Sequence, residues 1–232
     1  MDNLALAVVW YVVLLVSFVF HEAAHGLAAL KLGDPTAYLH GQVTLDPVPH
    51  IKREPFGMVV IPILSYLFAG WMIGWASAPY DPYWAQTHRR KAALMALAGP
   101  AANLTLVLAA ALIIRAGMLW GLFHAPESIT FTKVAAADTP GFANAAAVVV
   151  SILFSLNLIL LVFNLIPLPP LDGSNILSLA LSERAAERYN TLLRQPGFRI
   201  IGLVVAWQVL GFALGPIHTL ALNILYPGAG YH

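Results

Sequence analysis

The sequence predicts an all-α polytopic membrane protein carrying one small re-entrant β element, and three observations lead there. Of its 232 residues, 59% are hydrophobic and only 10% charged, against about 45–50% and about 25% in ordinary soluble domains. Four apolar segments each exceed the roughly 20 helical residues that cross about 30 Å of hydrocarbon. Nearly all the cations fall in connections that a single orientation places on one side.

The four spans run over Leu4–Leu32, Lys91–Leu119, Gly141–Ile166 and Phe198–Tyr226. The first starts after Asp2 without a basic flank or a small-residue cleavage site, which predicts a retained span rather than a removed leader. If Lys31, Lys52, Arg53, Arg89, Arg90, Lys91, Arg184, Arg188, Arg194 and Arg199 face the cytoplasm, only Arg115 and Lys133 lie outside. The first and third spans then run outside to inside and the second runs back. The apolar run Phe56–Trp75, broken by Pro62 and Gly70, must therefore leave on the side where it entered. A helix over Phe56–Ala69 would be about 21 Å long, and an extended "WMIGWASAPY" could return roughly 30 Å. Such backbone survives at membrane depth only where protein or water satisfies its polar groups. The loop His124–Gly141 is read as external, and "LSERAAERYNTLLRQPG" as an amphipathic helix on the inner side.

A net charge of +1 without long charged runs gives no reason to expect nucleic acid as a partner. The absence of cysteine excludes disulfides and thiolate metal sites.

Chemistry enters with "SFVFHEAAHGLAALKLG" in the first span. On a helix His21 and His25, at i and i+4, share a face and can offer two imidazoles to one metal ion, while Glu22 can reach a metal-activated water without ligating. The plain alternative is a pair of satisfied core histidines. Ionisable groups in a span cost roughly 2.5–3.5 kcal/mol each on insertion scales, which weighs against a trio without function. Catalytic zinc usually takes three protein ligands and keeps a position for water. The third could come from His40, Asp46, His50, His124, Asp172, Glu183 or His218. Asp172 has the most telling setting, "LVFNLIPLPPLDGSNILSLA", where Pro167, Pro169 and Pro170 break a span and Gly173 permits a turn. A carboxylate there is costly without a cation, and capping the helix that follows is a plainer role for Asp172 that does not exclude the first.

Together, H-E-x-x-H in one span, "ALAGPAANL" (Ala96–Leu104) in a later one and "FNLIPLPPLDG" (Phe163–Gly173) in the next resemble the site-2 protease family of intramembrane zinc metalloproteases. The likeness extends through "KLGDPTAYLHGQVTLDPVPHI" and "GWASAPYDPYW", and so covers about Leu4 to Leu181. It implies a site-2 protease-like core over about 4–181 and a terminal helix over about 198–226, in a single domain of a compact prokaryotic type without PDZ or regulatory insertion. It also implies one Zn2+ per chain held by His21, His25 and Asp172, with Glu22 as general base. Asn103 and Asn164 would lie near the substrate or the oxyanion. Asp46 and Lys52 stand where this subgroup would carry a neutral polar residue and an acid. The implied substrate is a transmembrane protein, and the implied location a bacterial or archaeal plasma membrane with the site toward the cytoplasm.

Extending the target locally would expose its bond, and the β-branched stretches "GQVTLD" and "GWASAPY" are expected to form a small sheet that accepts it as a further strand. A metal-ion transporter, a zinc peptidase of another family using Glu183 and cutting outside the bilayer, and a scaffold that has lost catalysis are the competing readings. The scarcity of ionisable groups in the later spans argues against the transporter.

Overall fold

The computed structural model describes residues 3–177, 179–193 and 196–231 and is mostly helical. In chain order the helices are α1 (Asn3–Leu32), α2 (Thr36–Leu39), α3 (Pro47–Arg53), α4 (Ile61–Ala69), α5 (Pro82–Thr87), α6 (Arg89–Leu119), α7 (Phe142–Leu165), α8 (Asp172–Leu177), α9 (Glu183–Leu193) and α10 (Pro196–Leu225). Four of them are long and apolar enough to cross a membrane: α1, α6, α7 and the stretch Gly197–Leu225 of α10. This is a multi-pass membrane protein, and all four expected spans are present as helices. The charged segment expected to be helical is α9.

Helices α1, α6 and α7 pack on one another and form the centre. Along Val150–Ile159 of α7 nearly every residue is buried, because neighbours cover it from several sides. The N-terminal half of α1 packs Trp10, Val13, Leu14 and Phe18 against Ile152 and Leu156 of α7 and against Met58 and Met72. A second cluster joins α6, α7 and α10 through Ala110, Ile114, Phe154, Leu158, Ala206 and Leu210, and is closed by Val134 of the loop after α6. Ile200, Val204, Phe212 and Leu220 of α10 remain exposed, as side chains facing lipid tails would.

The segment after α3 takes the helix-and-return path expected for it. A π turn at Phe56–Val60 runs into α4, Gly70 ends that helix at φ +75°, and residues 71–81 come back extended. The two limbs touch where glycines let backbones meet, since a Cβ on Gly57 would overlap the Trp75 carbonyl and one on Gly74 the Gly57 carbonyl. There the Trp75 N–H donates to the Gly57 carbonyl at 3.2 Å, and the Ile73 N–H to Ser65 Oγ at 3.0 Å.

The expected sheet does not form: no β-strand occurs among the described residues, and the returning limb is extended without a partner strand. Local bonds take the place of pairing in "GQVTLD". Gly41 turns the chain at φ +68°, the Gln42 N–H donates to the Ala37 carbonyl at 2.9 Å, and the Asp46 N–H to Thr44 Oγ1 at 3.0 Å. Asp46 then caps α3 by accepting from the Val48 N–H at 2.9 Å, with Pro47 opening the helix. That accounts for Asp46, whereas Lys52 is simply exposed on α3.

Asp34, 1% exposed, ties the end of α1 to the end of the extended limb. Its carboxylate accepts from the Thr36 N–H (3.0 Å), the Thr36 hydroxyl (2.5 Å) and the Asp81 N–H (2.9 Å). Burial pushes its pKa up, but the bonds from the Thr36 hydroxyl, the Asp81 amide and the Thr36 amide outweigh this and hold it below the usual carboxylate value. A pKa lower in the folded than in the unfolded chain means that the clamp stabilises fully above the ordinary carboxylate range. Its contribution disappears as pH falls through that range toward the depressed value. Asp34→Ala is expected to cost about 1–3 kcal/mol at neutral pH by stranding these donors. Thermal unfolding in detergent should show the gap between wild type and variant closing as pH is lowered.

Candidate active site

Position i, i+4 on α1 brings the rings of His21 and His25 together edge to face, with centroids 4.6 Å apart. Their Nε2 atoms lie 3.0 Å apart. Asp172 is the first residue of α8, just past the proline-broken end of α7, and its Oδ2 lies 3.2 Å from His21 Nε2 and 3.3 Å from His25 Nε2. The same three residues form the only cluster of possible metal-binding His, Asp or Glu side chains among the described residues.

Proton positions in this cluster follow from what stands behind each ring. His25 Nδ1 is 2.8 Å from the Met95 carbonyl, which can only accept, so in the neutral ring, the form that ligates a metal, Nδ1 carries the hydrogen and Nε2 presents a lone pair. His21 Nδ1 is 2.6 Å from Asn103 Oδ1, an acceptor likewise, and its Nε2 is in the same state. With both rings neutral, two lone pairs and a carboxylate oxygen therefore converge with no donor between them, and Asp172 Oδ2 is buried. Three acceptors at such distances repel unless a cation joins them. Tetrahedral zinc with ligands at roughly 2.0–2.2 Å sets neighbouring ligand atoms about 3.3 Å apart, so donor set and spacing both fit zinc.

The second motif supplies a wall. Gly99 of α6 faces the two histidines so closely that a Cβ there would overlap His25 Nε2 and His21 Nε2. Pro100 follows it within the helix and has no N–H for the Ala96 carbonyl, the neighbour of the Met95 carbonyl that His25 uses. Gly173 does the same service beside Asp172, where a Cβ would overlap the Leu165 and Ile166 carbonyls and push α8 away from α7.

Glu22 is 6% exposed and has no hydrogen-bond partner among the described residues. Asn103 is fully buried behind His21, and its Nδ2 donates to Asn157 Oδ1 at 2.9 Å. Asn164 is half-buried and donates to the Leu160 carbonyl one turn back on α7 at 3.0 Å. The other ligand candidates are elsewhere: His40 bonds the Thr36 carbonyl, His50 the Thr44 carbonyl, His124 pairs with Asp138, and His218 lies beside the Phe131 ring. The Glu183 side chain lies outside the described residues. Sequence reading missed Gly99, Ser17 and Asn157. Ser17 stands one helical turn before His21, and Asn157 is a lone amide in an apolar span; these are the signals that could have found them.

Gly99→Ala is expected to keep the helical fold and lose metal, because the added methyl takes the space in front of both Nε2 atoms. Metal analysis of the purified variant should show zinc reduced at least about tenfold, with circular dichroism unchanged.

The model for peptidase family M50 matches residues 9–205. The candidate zinc metalloprotease YwhC of Bacillus subtilis is 35% identical over 167 residues, covering 72% of this chain and 66% of that protein. The candidate zinc metalloprotease Rip2 of Mycolicibacterium smegmatis is 30% identical over 201 residues, 84% of this chain and 66% of that protein. Rip2 of Mycobacterium tuberculosis is 33% identical over 160 residues, 68% of this chain and 52% of its own length. The match thus spans from about half to just under two thirds of these relatives. No solved structure matches the chain. With its H-E-x-x-H helix and its L-D-G turn meeting inside the matched region, this chain belongs to peptidase family M50, the site-2 protease family.

Proposed function

We propose that the protein is an intramembrane zinc metalloendopeptidase that hydrolyses peptide bonds within or near transmembrane segments of membrane proteins. The observation that carries this reading is the convergence of His21 Nε2, His25 Nε2 and Asp172 Oδ2, with both histidines on a helix long and apolar enough to span. His21, His25 and Asp172 would hold one zinc ion, and that ion would supply a Lewis acid able to lower the pKa of water to about 7 and polarise a carbonyl. Glu22 stands next to His21 on the same turn, free of hydrogen bonds within the described residues, so its carboxylate is available to a proton. It takes that proton from the attacking water and delivers it to the leaving amine. Asn164 spends one amide hydrogen on Leu160, and its second is assigned to the developing oxyanion. Asn103, closed in behind His21, acts on the ring rather than on substrate.

A substrate helix must be extended before its peptide bond can be attacked. Along Ala76–Tyr80 the backbone of the returning limb makes no hydrogen bond among the described residues, which leaves an edge for an incoming strand. The same edge favours a peptidase over a transporter, since ion passage has no use for it. The positive-inside rule supports a site toward the cytoplasmic face, and the bacterial relatives support a prokaryotic plasma membrane.

Zinc content and cleavage of a model transmembrane substrate test this together. Glu22→Gln is expected to retain zinc and lose about 10²–10⁴-fold in rate, whereas Asp172→Ala loses zinc and activity alike. A Glu22→Gln protein that cleaves normally would remove the general base from the proposal. Ala76→Pro takes away a backbone donor from the free edge and should lower cleavage with zinc unchanged; wild-type cleavage by it would reject strand addition.

A further inference from the structure

The tautomers of His21 and His25 are held in different ways. His25 leans on the Met95 carbonyl, whose role as acceptor is invariable. His21 leans on Asn103, whose amide could present either end. Something must stop Asn103 from turning over, because a flipped amide would donate to His21 Nδ1 and move the ring hydrogen to Nε2. That hydrogen would then point at Asp172 Oδ2, only 3.2 Å away, and would satisfy the orphaned oxygen. Such a site is closed to metal and electrostatically content.

The answer lies one helix further on. Asn103 Nδ2 donates to Asn157 Oδ1 at 2.9 Å, and Asn157 Nδ2 donates to the Leu153 carbonyl and to Ser17 Oγ, each at 2.9 Å. Ser17 in turn donates to the Val13 carbonyl at 2.7 Å, so its oxygen is left to accept. Two backbone carbonyls thus orient Asn157. Its oxygen must face α6, which makes Asn103 show its NH2 to Asn157 and its oxygen to His21. Ser17, Asn103 and Asn157 are all 0% exposed, so no water competes for these bonds.

We infer that Asn157, anchored by Leu153 and Ser17, is a positioning residue that acts through Asn103 to keep His21 in the Nδ1-protonated, metal-accepting tautomer. Reversing the relay would set the oxygens of Asn103 and Asn157 against each other in a dry interior, where unmade amide bonds are costly. This deepens the metal-site reading above and rests on it for its consequence, though not for the tautomer itself.

The test uses the full chain in lipid, with Asn157→Leu, and Ser17→Ala as a milder variant should the first fail to fold. Nitrogen NMR of labelled histidine in the metal-free protein reads the tautomer, and competition with a chelator reads affinity for Zn2+. Expected is a shift of His21 toward Nε2–H with His25 unchanged, and zinc affinity lower by about tenfold. In an Asn103→Ala background the Asn157→Leu change should cost no further affinity, since a relay cannot act through a missing link. A His21 tautomer and zinc affinity equal to wild type, or an undiminished loss in the Asn103→Ala background, would overturn the inference. If the tautomer shifts while wild-type protein itself binds no zinc, the relay stands and the metal reading falls.

Discussion

Two imidazole lone pairs and one carboxylate oxygen held within 3.3 Å of each other repel, and much of the centre of this protein serves to keep them there. Left alone, each could escape by turning its ring, taking a proton or moving its helix. Against these escapes stand the Met95 carbonyl behind His25, the Asn103 oxygen behind His21, and a turn closed by Gly173 beside Asp172. In a low-dielectric interior the remaining imbalance is a strong preference for a cation.

Holding the site explains features that have no chemistry of their own. The centre requires α1, α6 and α7 to touch, and they touch through glycine at Gly99 and through buried amides at Asn103 and Asn157. Between helices in lipid the hydrophobic effect gives little drive, so close backbone approach and interhelical hydrogen bonds carry more of the association. A polar layer of this kind also specifies register, because sliding one helix by a turn would break the Asn103–Asn157 or the Asn157–Ser17 bond.

The extended limb obeys a related constraint from the opposite side. It is fixed at its ends, by Gly57 and Ser65 near Ile73–Trp75 and by Asp34 at Asp81, while the backbone between is unbonded. On the proposed reading, a segment anchored at both ends with an unbonded backbone between them would receive a partner strand at small entropic cost. Function in this reading comes from leaving bonds unmade in two places, three electron pairs at the metal site and a row of amides at the edge.

Much of this was legible in the residue order. Helical spacing settles that His21 and His25 share a face, composition settles the spans, and prolines next to Leu-Asp-Gly settle that a carboxylate sits on broken backbone, since each is a local property of the chain. The sheet expected from "GQVTLD" and "GWASAPY" was not to be had, because β-character reports fitness for pairing, and local bonds at Gln42 and Asp46 used up the donors first. Which of seven candidates would join the histidines, which side of Gly99 they would meet, and which end of Asn103 would face His21 depend on groups 54 to 151 positions apart. Only packing of three helices decides those, because an amide's orientation is set by partners and not by its own sequence neighbours.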